Sequence, residues 1–219
     1  MHVPGIDIDI QGAIFDLDGT LLDSMPYWNN LGEEYLIRRG KVPNDDIKHH
    51  FRRMTLEQSA EYMQQTYGLS ETIDQIMEGV VDGIVDSYRF EIPLKPGARE
   101  LFSTMKSAGA PMVVATASER RLVEAALTRL GVIDLFEGLF ICSEVGASKT
   151  EPLVYEAALA HLGTRREHTL IFEDTLHACQ TAKRAGFPVL AALDPANECD
   201  REAIVATADA WVESLEQLL

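Results

Sequence analysis

Four acidic side chains, one hydroxyl and one amine stand where they could act together. Asp16 and Asp18 are one residue apart, directly after the apolar run Ala13-Ile14-Phe15, and Gly19-Thr20 follow at once. Aspartate is depleted in strands. Two of them at the end of a short apolar run indicate a buried strand that delivers carboxylates at its end and then turns sharply. Glu173-Asp174 repeat the pattern after Leu170-Ile171-Phe172. Thr116 closes the run Met112–Ala115, and Lys149 comes shortly after Leu139–Cys142.

Carboxylates gathered in one crevice repel. Two like charges at about 4 Å cost about 4 kcal/mol at an effective dielectric near 20, so the group must take up protons or a cation. Oxygen donors with no His or Cys among them favour Mg²⁺, which also binds substrate phosphate. A cation screens both an attacking carboxylate and a phosphoryl group. Thr116, the amide of Ala117 and Lys149 would supply donors for the equatorial oxygens. Asp18 is near enough in sequence to pass a proton to the leaving oxygen.

The elements that must place these groups are legible around them. Beyond Gly109, short apolar runs at Met112–Ala115, Leu139–Cys142, Leu170–Phe172 and Val189–Leu193 alternate with periodic segments. Those segments, Leu122–Leu130, Val154–Leu162 and Leu176–Ala185, each stop at a glycine, the expected left-handed helix end. Ser118 stands where a helix N-cap is expected. Strand–helix alternation predicts an α/β fold, a Rossmann-like doubly wound parallel sheet with helices on both faces. Ligands bind outside the carboxyl ends of such strands.

Residues 25–95 read differently. Trp28, Leu31, Tyr35 and Leu36 form one apolar stripe, and Leu56, Ala60, Met63 and Tyr67 another. Ile73, Ile76, Met77, Val80, Val81, Ile84, Val85 and Tyr88 keep helical spacing. The expected organisation is a core of residues 1–24 and 96–219 with an inserted α-helical bundle, 25–95, acting as a lid or cap. The methionines and aromatics of 54–88 are read as the interior of that bundle.

Composition limits the partners. The 219-residue chain carries 19 Lys+Arg against 35 Asp+Glu, a net charge of -16. Such a surface repels nucleic acid and anionic lipid, and no apolar run is long enough to span a bilayer. The N-terminus has no signal-peptide pattern. Cys142, Cys179 and Cys199 lack metal-ligand spacing and suggest a reducing, cytoplasmic setting. His49, His50 and His177 fit no common zinc pattern.

Together these motifs resemble the haloacid dehalogenase-like phosphatase superfamily over nearly the whole chain. Asp16-Leu17-Asp18-Gly19-Thr20 is similar to its first motif and Thr116 to its second. Lys149 is similar to the third, and Glu173-Asp174 with Ala182 and Ala185-Gly186 to the fourth. The resemblance implies an aspartyl-phosphate on Asp16, with Asp18 as general acid and then base. It implies Mg²⁺ held by Asp16, the backbone carbonyl of Asp18 and Asp174, with Glu173 beside them. Two positions depart from the pattern. The usual Lys-Pro-x-Pro-Asp is Lys149-Thr150-Glu151-Pro152-Leu153 here, so the loop that aims the lysine is held differently, and a usual glycine is Ala178.

Within the superfamily, Asp18 argues against the dehalogenases and phosphonatases, which lack this aspartate. Related phosphosugar mutases such as β-phosphoglucomutase use a cap histidine, arginine and lysine for a second phosphate. Here the first two positions fall on Trp28 and Leu56, and no lysine lies between Lys48 and Lys95. The expected activity is hydrolysis of a small phosphorylated metabolite, a sugar or polyol phosphate. A mutase and an inactive phosphate-ligand binder are the alternatives. In the cap, Arg52 and Arg53 are candidates to attract the phosphorylated substrate, or are solvated surface arginines. Trp28 either floors the substrate pocket or is a bundle-core aromatic.

Overall fold

A computed structural model describes residues 6–44, 46–47, 51, 54 and 56–219. The chain divides into two compact units, one running to Asp23 and resuming at Pro93, the other spanning Ser24–Ile92. These boundaries fall one and three residues before those drawn from the sequence. Backbone pairing explains the shift. The Asp23 amide donates to the Pro93 carbonyl at 3.0 Å, and the Lys95 amide to the Leu21 carbonyl at 2.8 Å. Leu22 and Leu94 form an antiparallel bridge, so residues 93–95 are held to the first unit.

The first unit is built on a six-stranded sheet. Its strands are β1 (Gly12–Phe15), β2 (Met112–Thr116), β3 (Gly138–Ile141), β4 (Thr169–Glu173), β5 (Val189–Ala192) and β6 (Ala210–Val212). All pairs are parallel, in the order β3-β2-β1-β4-β5-β6. β1, β2, β4 and β5 are buried at every residue. This is why they read as continuous apolar runs rather than alternating ones. Helices α4 (Ala98–Ser107), α5 (Arg120–Arg129), α6 (Leu153–Leu162), α7 (Leu176–Arg184) and α8 (Arg201–Thr207) lie in the same unit, with a single helical turn at Cys142–Val145.

One expectation needs correction, and one strand has no counterpart among the apolar runs: β6 has three residues, and Trp211 between buried Ala210 and Val212 is 45% exposed. So short an edge strand leaves no periodic run to detect. Ser118 is not the N-cap of α5. Glu119 holds that position and makes no side-chain capping bond.

Topology already selects the crevice. From β1 the chain builds outward through β2 and β3, then returns to the other side of β1 for β4, β5 and β6. The order reverses at β1, where an open α/β sheet leaves a cleft beyond its strand ends. Phe15 is in register with Val114 on one side and Phe172 on the other. The Phe15 and Phe172 rings stack at 4.3 Å.

The second unit holds a helical turn at Met25–Trp28, then α1 (Leu31–Arg38), α2 (Leu56–Tyr67) and α3 (Ile73–Phe90). α3 starts at a capping box. The Thr72 hydroxyl accepts from the Gln75 amide, and the Gln75 side chain accepts from the Thr72 amide; such a box satisfies two otherwise orphaned donors. Its buried residues Ile76, Val80, Val81, Ile84 and Tyr88 keep the spacing that defines one helix face. α1 packs so near that a Cβ at Gly79 would stand 2.6 Å from the Tyr35 ring. Among the described residues, no helix is long and apolar enough to cross a membrane.

Candidate active site

Register places the acids. Because Phe15 pairs with Phe172, the next residues, Asp16 and Glu173, leave neighbouring strands side by side. The Asp16 amide donates to the Phe172 carbonyl at 2.9 Å. The chain then reverses. The amides of Leu21 and Leu22 both donate to the Leu17 carbonyl, at 2.9 and 2.8 Å. Gly19 takes φ 86° within this turn, a conformation that a side chain at that position would strain.

Oxygens of Asp16, Glu173 and Asp174 lie within 4.8 Å of one another, and all three residues are buried. Lys149 donates to Asp16 Oδ1 and, at 2.5 Å, to Glu173 Oε1. The Tyr155 hydroxyl donates to the same Glu173 oxygen at 2.8 Å. Asn197 Nδ2 donates to Asp174 Oδ2 at 2.8 Å and to the Asp174 carbonyl at 3.2 Å. The carboxylate of Asp18 turns elsewhere and accepts from the Ser118 hydroxyl at 2.5 Å. Thr116 is buried at the end of β2, and its Oγ1 accepts from the Ser118 amide at 3.1 Å. Ala117 between them is exposed.

Burial and mutual repulsion set the charges. Burial would lower the pKa of Lys149, but Asp16 and Glu173 outweigh it and push it up, so the ammonium is held charged. Burial pushes Glu173 up to about 7, against the pull of Lys149. Asp174 is raised well above its ordinary range by burial and then by Asp16 and Glu173. Burial likewise raises the Tyr155 phenol, with Glu173 adding to it. The hydroxyl therefore remains a donor.

One ammonium thus faces three carboxylates, and Glu173 Oε2 is buried with no hydrogen-bond partner among the described residues. An orphaned buried carboxylate oxygen is costly. The donors present are hard oxygens. These residues fit a small divalent cation such as Mg²⁺.

The structure therefore brings together Asp16, Lys149, Glu173 and Asp174, with Asp18 and Thr116 linked through Ser118. The Asp18 side chain is outside the carboxylate triplet. Trp28 lies in the helical unit, where its indole N–H donates to the Tyr88 hydroxyl at 2.9 Å. Arg52, Arg53, His49 and His50 lie outside the described residues. His177 is exposed and outside the triplet.

Three site residues escaped the sequence reading. In the sequence Tyr155 looks like a core aromatic, and Ser118 suits a helix cap. Asn197 sits in the 3-10 segment Pro195–Asp200 after β5. That segment follows the carboxyl end of β5, the position at which the other strands also present their site residues.

The sequence profile of the haloacid dehalogenase-like hydrolases matches residues 13–192. The chain belongs to this family. Among its relatives is validoxylamine A 7'-phosphate phosphatase of Streptomyces hygroscopicus subsp. limoneus, 31% identical over 176 residues, covering 80% of this chain and 81% of the relative. Hexitol phosphatase B of Escherichia coli K12 is 28% identical over 217 residues, covering 95% and 94%. A putative beta-phosphoglucomutase from Thermotoga maritima has the same fold, with a TM-score of 0.81 at 22% identity over 95% of this chain and 97% of that one. The chain carries the aspartate pair just after β1, the second acid pair at the end of β4 and Lys149 in the segment between β3 and α6.

Proposed function

We propose that the protein is a Mg²⁺-dependent phosphatase that hydrolyses a small phosphorylated sugar or polyol through an aspartyl-phosphate on Asp16. The observation that carries this reading is one buried ammonium among three carboxylates at the switch point, with a second aspartate held apart on a serine hydroxyl. The phosphatase names of its relatives support hydrolysis, and the hexitol phosphatase among them supports a polyol or sugar phosphate.

Asp16, nearest to Lys149, attacks phosphorus, and the bond to the leaving oxygen breaks. Lys149 offsets charge on the nucleophile and on the phosphoryl oxygens, aided by the Thr116 hydroxyl and the Ala117 amide. Asp18, held by Ser118, gives its proton to the leaving alkoxide. It then takes one from the water that cleaves the acyl phosphate, which restores Asp16 and releases phosphate. Asp16, the Asp18 carbonyl and Asp174, with Glu173 beside them, would hold Mg²⁺, which supplies charge neutralisation for an anionic nucleophile meeting an anionic ester.

No lysine lies between Lys48 and Lys95 to anchor a second phosphate, so hydrolysis is favoured over the mutase alternative. Charge favours a metabolite over nucleic acid. The free thiols of Cys142, Cys179 and Cys199 accord with a cytoplasmic setting. The test is a phosphate-release screen over sugar and polyol phosphates with Mg²⁺, comparing wild type with Asp16→Asn. Release by wild type and a loss of about three orders of magnitude or more in the variant are expected. Equal release by both would overturn the reading. Conversion of a hexose 1-phosphate to its 6-phosphate, primed by a bisphosphate, would select the mutase. Ligand-induced stabilisation without turnover would select the inactive binder.

A further inference from the structure

Lys149 reaches its carboxylates from a loop in which Thr150 stands where the first proline of the family's pattern is usual, with Pro152 at the second. Its braces are local and exposed. The Ser148 and Thr150 hydroxyls pair at 2.6 Å, and the Glu151 amide donates to the Ser148 carbonyl at 3.1 Å. The direction of the side chain is fixed at its far end, where Glu173 Oε1 receives both Lys149 at 2.5 Å and the Tyr155 hydroxyl at 2.8 Å. Tyr155 is fully buried on α6, its ring packed against Phe187 at 6.3 Å. A phenol so enclosed has few rotamers and cannot withdraw.

We infer that Tyr155 is a positioning residue that pins one oxygen of Glu173 and thereby aims Lys149 at Asp16. The carboxylate has two oxygens with different tasks. Oε1 is engaged by the two donors, while Oε2 is buried without a partner among the described residues, in the acid that joins Asp16 and Asp174. Without the hydroxyl, Lys149 is the one donor left to Glu173 among the described residues. The carboxylate is then free to rotate, and Lys149 no longer has a fixed target. The phenol thus takes over an orienting task that the loop sequence leaves open.

The kinetic half of this inference rests on the phosphatase reading, so its test has an independent half. Tyr155→Phe removes one oxygen and keeps the ring. Expected are a fall of about ten- to a hundredfold in kcat, KM unchanged, and faster labelling of Lys149 by an amine-reactive ester, read by peptide mass. Val154→Ala, a buried neighbour on α6, controls for packing: it lowers the melting temperature while kcat and Lys149 labelling stay at wild-type values. If Tyr155→Phe keeps both wild-type kcat and wild-type labelling, or if Val154→Ala reproduces its losses, the inference is overturned. Should wild type release no phosphate from any substrate, the phosphatase reading fails. Labelling of Lys149 in Tyr155→Phe then decides the positioning role alone.

Discussion

Two lysines of the first unit, Lys149 and Lys95, are paired with buried acids, and the pairs are built to opposite ends. Lys95 donates to Asp194 Oδ2 at 2.6 Å, and Asp194 Oδ1 accepts from the Ala196 amide at 2.8 Å. One charge meets one charge, and both oxygens of the acid are occupied. Lys149 meets Asp16 and Glu173, with Asp174 beside them and one Glu173 oxygen left without a donor among the described residues. The balanced pair ties the segment that re-enters at Pro93 to the end of β5. The unbalanced cluster keeps an excess of negative charge that a cation can relieve. Burial is common to both, so what distinguishes a site from a strut is unmet demand for positive charge.

Lys149→Met tests the unbalanced side and carries the largest expected effect. Phosphate release should fall by about a hundred- to a thousandfold, as when a preorganised donor is removed; steady-state rates at saturating substrate check this. A variant within a few fold of wild type would put the two lysines in one class. Lys95→Met tests the balanced side. It strands Asp194 and should cost about 3 kcal/mol in urea unfolding, while kcat of the folded fraction holds. A collapse of kcat at unchanged stability would reverse the comparison.

The third expectation is smaller and concerns pH. Glu173 and Asp174 have pKa values raised in the folded state, Glu173 from 4.5 to about 7. Between those values the folded protein binds more protons than the unfolded chain, so stability falls as pH rises. Without divalent cation, the melting temperature should drop by a few degrees from about pH 4.5 to about pH 7. Mg²⁺ should flatten that slope by binding the ionised acids. Calorimetry with chelator and with Mg²⁺ decides it, and identical slopes would mean that protons alone settle the cluster.

The sequence was most informative where chemistry conflicts with propensity. Asp16 and Asp174 stood out because carboxylates at the ends of apolar runs need a reason. Lys149 stands out despite its altered loop, because it follows a strand in the same series. Tyr155 was hidden because a phenol at a buried helical position is indistinguishable from packing until its hydroxyl has coordinates. Ser118 suits a helix cap, and only the separate strand carrying Asp18 shows its actual partner. Asn197 contacts Asp174 across 23 residues of chain, and nothing in its own segment announces that pairing. Local patterns report elements, whereas contacts between strand ends depend on register, which the pattern of each strand alone does not give.

The two crossings between the units lie against each other, with Leu22 bridged to Leu94 and the Asp23 amide on the Pro93 carbonyl. Outgoing and returning chain are therefore clasped before the insertion begins. Insertions are tolerated where the joined ends already meet. Everything between these points can be exchanged, by evolution or by grafting, as a cassette, while the strand ends that carry the acids keep their alignment.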